Sequence, residues 1–240
     1  MLKVAPTVAD YRAAWEAERQ NEYPVIDAFE ARCGFAIPRG RLEGAARVLA
    51  CPVKKNPPNW QHGRVLYALT RKYLEDKRNQ FIRVLDIGTA KGFSALCLQW
   101  ALWDSNSCAW CITSVDVIDP KARISRNTVA ECEGLLTVAQ ILYPWREARG
   151  IMFEQSTGLD WLIAHQERIH IAFIDGSHNG ETVLQEGRLL ADRQELGDLA
   201  IFDDVDRPDI AQAVSQLSDA YRFDVLEVLP NRAYAIGVRR

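Results

Sequence analysis

The chain has 240 residues, 48% of them apolar, which is enough for one full core with an appendage but not for two equal domains. Its 29 basic and 32 acidic residues leave a net charge of -3, so nothing marks it as a general binder of nucleic acid or of an anionic membrane, and small or neutral partners fit better. No stretch approaches the roughly 20 apolar residues of a membrane helix, no basic-then-apolar leader opens the chain, and the six scattered cysteines suit reduced thiols; a cytoplasmic protein is expected.

Residues 1–78 read as an N-terminal helical extension, with helices at about 7–20, 22–32 and 61–76 separated by Cys33–Pro38 and the proline-rich Pro52–Trp60. Val65, Leu66, Leu69 and Tyr73 give the third helix a face that suits the body of the protein or a partner subunit. From residue 79 to 240 strand and helix patterns alternate, which indicates an α/β fold: a Rossmann-like, doubly wound, seven-stranded sheet. Strands are expected near 81–87, 110–117, 150–154, 169–174, 198–202, 222–228 and 233–238. A helix after Gly180 carries Val183, Leu184, Gly187 and Leu190 at helical spacing, and one begun by Pro208 carries Ile210, Val214 and Leu217. The short Leu229–Arg232 connection leaves no room for a helical crossover, so the last two strands should form an antiparallel hairpin. Cys108 and Cys111 have C-x-x-C spacing, but no second pair or close histidines follow, and they read as the start of the second strand.

The most informative segment is Phe81-Ile-Arg-Val-Leu-Asp-Ile-Gly-Thr-Ala-Lys-Gly-Phe-Ser94, an apolar strand that breaks into a glycine turn opening a helix. Its Asp86-x-Gly88-x-x-x-Gly92 spacing differs from the G-x-G-x-x-G of dinucleotide binders, which disfavours a nicotinamide-dependent oxidoreductase. The segment resembles the first motif of the class I S-adenosylmethionine-dependent methyltransferases, whose fold also ends in an antiparallel hairpin. The resemblance implies that Gly88, Thr89, Lys91, Gly92 and Ser94 lie along the methionine part of the cofactor and that Asp86 helps hold its ammonium.

Thr113-Ser-Val-Asp-Val-Ile-Asp119 is an apolar strand ending in acid. A carboxylate there is placed to accept both ribose hydroxyls of an adenosyl group; Asp116, which comes sooner after the apolar run, is preferred over Asp119. Phe153-Glu-Gln-Ser-Thr-Gly158 ends the third strand, where methyltransferases commonly contact adenine, so Gln155 and Ser156 are candidate contacts.

Two further strand ends carry Asp175-Gly-Ser-His178 and Asp203-Asp204 to the same edge of the sheet. Three converging carboxylates repel unless a cation joins them, and a hard divalent ion, Mg²⁺, is expected on Asp175, Asp203 and Asp204. The arrangement resembles the metal-dependent small-molecule O-methyltransferases over about residues 61–240. Such enzymes place N-terminal helices over the substrate pocket or in a dimer contact, so the extension is expected to be a substrate lid or homodimer contact, and the acceptor a small-molecule hydroxyl. Their catecholic branch has a lysine three residues after the first metal-binding Asp, where this chain has His178, which is the candidate base alongside Asp175; an imidazole ordinarily titrates near ~6.5.

Two alternatives are open: a methyltransferase-like module that binds or assembles without turnover, and an N-methyltransferase. Asn56-Pro-Pro-Asn59 is similar to the N-P-P-[YF] motif of nucleic-acid amino-methyltransferases, but it precedes the sheet, and Asp175 occupies the usual place of that motif after the fourth strand.

Overall fold

Alternating strands and helices need two layers of cover, and the computed structural model supplies them around one seven-stranded sheet. It describes residues 6–51, 60–77, 80–106, 109–125, 128, 134–229 and 232–240. The strands are β1 (Phe81–Ile87), β2 (Ala109–Asp116), β3 (Ile151–Gln155), β4 (Ile171–Ile174), β5 (Leu199–Phe202), β6 (Tyr221–Leu229) and β7 (Arg232–Arg239). Their spatial order is β3-β2-β1-β4-β5-β7-β6. The first five are parallel, while β7 is antiparallel to both β5 and β6. The order reverses at β1, between β2 and β4, and ligands of open parallel sheets bind beyond the strand ends at such a switch.

All seven expected strands form, with bounds shifted by at most two residues. The largest shift is at β4: Ile169 and His170 are tied by their N–H groups to Arg193 and Arg83 carbonyls before the ladder begins. Every residue of β4 and β5 is buried, as strands covered on both faces require.

The helices are α1 (Val8–Arg19), α2 (Pro24–Cys33), α3 (Arg39–Leu49), α4 (His62–Leu74), α5 (Phe93–Ser105), α6 (Val138–Leu142), α7 (Gly158–Ala164), α8 (Gly180–Ala191) and α9 (Pro208–Ser215). The sequence reading missed α3, because Gly40 and Gly44 lower its propensity; burial of Leu42, Ala45, Ala46 and Leu49 supplies what propensity does not. α5 is buried nearly all round from Phe93 to Leu102, sandwiched between the sheet and α4.

The N-terminal helices share the core of the sheet: Leu42, Trp60 and Leu66 belong to one buried cluster with Ile82, Phe173 and Leu199. The opposite face is covered by α7, α8 and α9 through Leu162, Val183, Leu190, Ile210 and Val214. Arg64, fully buried in α4, holds the extension together by pairing with Glu30 and with Asp27 at 2.5 Å. The expected boundary at 78/79 falls outside the described residues, as do Cys108 and Asn56–Asn59. Among the described residues, no helix is long and apolar enough to cross a membrane.

Candidate active site

At the end of β1 the backbone turns sharply: φ is +105° at Gly88, +45° at Ala90 and +84° at Gly92. Gly88 is required by a close approach within the protein, since a Cβ there would stand 2.5 Å from the Asp175 carbonyl oxygen. At Gly92 a Cβ would meet Leu142 at 2.7 Å. Both glycines thus fit the loop to its neighbours.

Behind this loop lies Asp86, with no exposed surface. Ser114 Oγ donates to Asp86 Oδ2 at 2.5 Å, and Thr89 Oγ1 lies 2.7 Å from Ser114 Oγ. Asp86 Oδ1 is buried and has no hydrogen-bond partner. Burial pushes the Asp86 carboxyl up to about 6, against the pull of hydrogen bonds from Ser114 and Ser94. An orphaned buried oxygen of this kind suits a cationic ligand group.

Asp116 ends β2 half-buried. Its Oδ2 accepts from the Ala90 N–H at 2.8 Å and its Oδ1 from the Ile118 N–H at 2.9 Å, leaving each oxygen a further lone pair. Asp119 instead accepts from the Lys121 N–H within a turn. Gln155 donates to the Val117 carbonyl at 3.1 Å and so braces the β2 loop; Ser156 N–H bonds the Asp116 carbonyl at 2.9 Å. Lys91 is partly exposed, and its charge acts on the buried Cys51.

A cavity of about 410 Å³ opens over these strand ends. Gly88, Asp116 and Ser156 line it together with Gly176, Ser177 and His178. Beside it stand the acids of β4 and β5. His178 Nδ1 lies 3.0 Å from Asp204 Oδ2, and Arg232 Nη1 donates to Asp204 Oδ1 at 2.7 Å. Asp203 is buried; its Oδ1 accepts from the Asp204 N–H at 2.7 Å, while Oδ2 has no hydrogen-bond partner and lies 3.6 Å from Arg232 Nη2. Burial, then Asp203 and Asp204, raises the Asp175 carboxyl well above its ordinary range. Burial also pushes Asp203 up to about 6, with Arg232 opposing. Asp204 itself is held in the left-handed region at φ +56°, a strained placement typical of functional loops.

Among the described residues, the groups whose ligand atoms lie within 4.8 Å of one another are Asp175, His178 and Asp204. Asp203 stands outside that set, turned toward Arg232. Two residues of this region escaped the sequence reading. Arg232 lay hidden in what read as a hairpin turn. His62, the first residue of α4, stacks on Phe173 at 5.9 Å and meets the edge of Phe93 at 5.1 Å. Its buried Nδ1 has no hydrogen-bond partner, and burial together with the Arg232 charge pushes its pKa down to about 3, so the imidazole is neutral. His165 and His170 are absorbed structurally, the first by the Trp161 carbonyl and ring, the second by the Arg83 N–H.

A family profile described as "Methyltransferase domain" matches residues 85–205, from the core of β1 to just past the Asp203-Asp204 pair. The chain is a class I S-adenosylmethionine-dependent methyltransferase. No curated protein matches this methyltransferase. Solved structures that share its fold include the O-methyltransferase TomG from Streptomyces achromogenes, involved in tomaymycin synthesis and solved with S-adenosylmethionine (16% identity, TM-score 0.57, covering 85% of this chain and 91% of that one). An O-methyltransferase from Bacillus cereus, solved with S-adenosylhomocysteine, has 12% identity and a TM-score of 0.57 and covers 98% of this chain and 100% of its own. An rRNA methylase from Streptococcus thermophilus also shares the fold, at 12% identity and a TM-score of 0.50, covering 72% of this methyltransferase and 95% of its own chain.

Proposed function

We propose that this methyltransferase transfers the methyl group of S-adenosylmethionine to a hydroxyl oxygen of a small molecule. The observation that carries the reading is that one cavity has Gly88, Asp116 and Ser156 among its walls together with His178, whose Nδ1 is bound to Asp204. Asp86 Oδ1 and the loop through Thr89, Lys91, Gly92 and Ser94 hold the methionine end of the cofactor. Asp116 takes the ribose hydroxyls, and Ser156, with Gln155 bracing the β2 loop, borders the adenine.

A sulfonium supplies an electrophilic methyl group and leaves as a neutral thioether. The chain's own part is to position the acceptor and to take its proton. With Nδ1–H donated to Asp204 Oδ2, His178 presents Nε2 as the basic atom. Arg232 fixes Asp204 from the other side, so the imidazole is held in one tautomer and orientation, as a general base must be. The acceptor oxygen gives its proton to Nε2 as it forms the bond to carbon, and the electrons of the broken carbon–sulfur bond stay on sulfur.

The same cluster fits a divalent cation. Mg²⁺ needs only one or two carboxylates besides water and substrate oxygens, which Asp175 and Asp204 supply, with Asp203 buried behind them. Bound there, it would lower the pKa of the acceptor hydroxyl and orient it.

Titration calorimetry with S-adenosylmethionine and S-adenosylhomocysteine, followed by turnover on a panel of phenolic and aliphatic hydroxyl compounds, tests the proposal. Binding of both ligands and methyl ether formation are expected, with turnover lost in EDTA and restored by Mg²⁺. Absence of binding at millimolar ligand sinks the reading. Methylation of amines alone returns it to an N-methyltransferase, and turnover that survives EDTA removes the cation while leaving the His178–Asp204 pair.

A further inference from the structure

The wall of the cavity contributed by α8 holds a residue that neither the glycine loop nor the acceptor cluster uses. Glu186 lines the cavity beside Thr182 and Gly158, yet it is only 1% exposed. Its Oε2 is buried and has no hydrogen-bond partner. Room for the carboxyl exists because position 158 is glycine: a Cβ there would collide with Glu186 Oε1 and would meet Ile87 Cγ2 at 2.6 Å. Nothing cationic accounts for its burial, and desolvation alone pushes its carboxyl up to about 7. A buried carboxyl without a partner costs stability, so one that faces a cavity is suited to a donor arriving with a ligand.

The donor follows from the chemistry of the cofactor, and the inference rests on the cofactor reading above. The cavity that Asp116 lines also has Val117, Ser156, Gly158, Ser177 and Glu186 in its walls, so a base attached to a ribose on Asp116 shares that cavity with Glu186. Adenine carries one exocyclic donor, its 6-amino group, next to the N1 acceptor. We propose that Glu186 is the specificity-determining residue for the cofactor's base, accepting a hydrogen bond from the adenine 6-amino group at the α8 end of the cavity. In its ionised form the carboxylate accepts that N–H; in its protonated form the carbonyl oxygen accepts it while the O–H faces N1. Either state selects a 6-aminopurine over a purine that lacks the amino group.

The test compares S-adenosylhomocysteine with its 6-deamino purine analogue by calorimetry on the full chain. Wild type is expected to prefer the adenine ligand by about 10-fold or more, the worth of a buried hydrogen bond to a charged or acidic group. Glu186→Leu should bind both ligands alike, and Glu186→Met, which keeps an unbranched side chain, should do the same if the leucine variant does not fold. Glu186→Gln should retain a preference, because its amide oxygen also accepts. Equal binding of the two ligands by wild type, or an unchanged preference in the leucine or methionine variant, overturns the proposal while leaving the cofactor assignment intact. Failure of wild type to bind S-adenosylhomocysteine overturns both.

Discussion

Asp86 and Asp203 are a matched pair with different surroundings. Each ends or follows a buried parallel strand, each is pushed up to about 6 by burial, and each keeps one oxygen without a hydrogen-bond partner. Around Asp86 the donors are neutral hydroxyls, Ser114 and Ser94, and the charge that acts on it is repulsive, from Asp116. Around Asp203 stands the guanidinium of Arg232, which also grips Asp204 and through it His178. The same residue type, on two strands separated by β4, therefore stands in two different electrostatic settings. The hydroxyl-lined acid has no cation of its own, as the proposed cofactor ammonium requires, whereas the arginine-lined cluster already has one beside the proposed base.

The sharpest way to break this comparison is at the base. In a protein that turns over, His178→Ala should cost about 10²–10⁴-fold in turnover, and Asp204→Asn should lower it in the same direction by freeing the imidazole. S-adenosylhomocysteine affinity should stay within about twofold in both, because neither side chain is needed on the methionine side. Single-turnover rates and calorimetry on the same samples separate the effects. Wild-type turnover in Asp204→Asn would show that the pair is not used.

Removing the built-in cation comes next. Arg232→Met leaves Asp203 and Asp204 without a positive partner, and breaking a buried pair from one side typically costs about 3–5 kcal/mol. Urea unfolding should show a loss of that order, and Asp203→Asn in the same chain should recover much of it. If the single change is neutral, Arg232 does not compensate the cluster.

Asp86→Asn tests the other member. It keeps the shape and a partner for Ser114 but removes the charge that awaits a ligand, so stability should hold or rise slightly. Affinity for S-adenosylhomocysteine should fall by about 10–100-fold, the worth of a charge-assisted hydrogen bond. Unchanged affinity would put the ammonium elsewhere.

Much of this architecture was legible before the fold was known. Apolar runs that end in Gly88, Asp116, Asp175 and Asp203 mark parallel strands whose carboxyl ends share an edge, and period alone places them. The hidden parts are those where sequence distance conceals contact. Arg232 lies 28 positions after Asp204 in a segment with turn composition, and only the antiparallel insertion of β7 beside β5 brings it to the acids. His62 comes to the site because α4 packs on α5, a tertiary contact without a local signal. α3 was lost to its glycines. Glu186 carries no local signal, since nothing near it in the sequence shows that Gly158 leaves a gap opposite it.

Glu186 is the third buried carboxyl of the site and sharpens the comparison, since it has neither hydroxyl donors nor an arginine. With its carboxyl pushed from an ordinary 4.5 to about 7, the folded protein binds a proton there that the unfolded chain releases at lower pH. Between those values the native state holds more protons than the unfolded state, so this group's contribution to stability is full below about 4.5 and is lost as pH rises through about 7. Glu186→Gln, which stays neutral throughout, should remove that slope. Urea unfolding of wild type and Glu186→Gln at pH 5, 6, 7 and 8 is the measurement, referenced to each protein's value at pH 5. The gap in favour of the glutamine variant should widen with pH to roughly 2 kcal/mol. Saturating S-adenosylhomocysteine should narrow it, because the adenine amino group then donates to the ionised carboxylate. Parallel pH profiles for the two proteins without ligand would mean that Glu186 is solvated in the native state, and that the cavity wall at α8 is open to water.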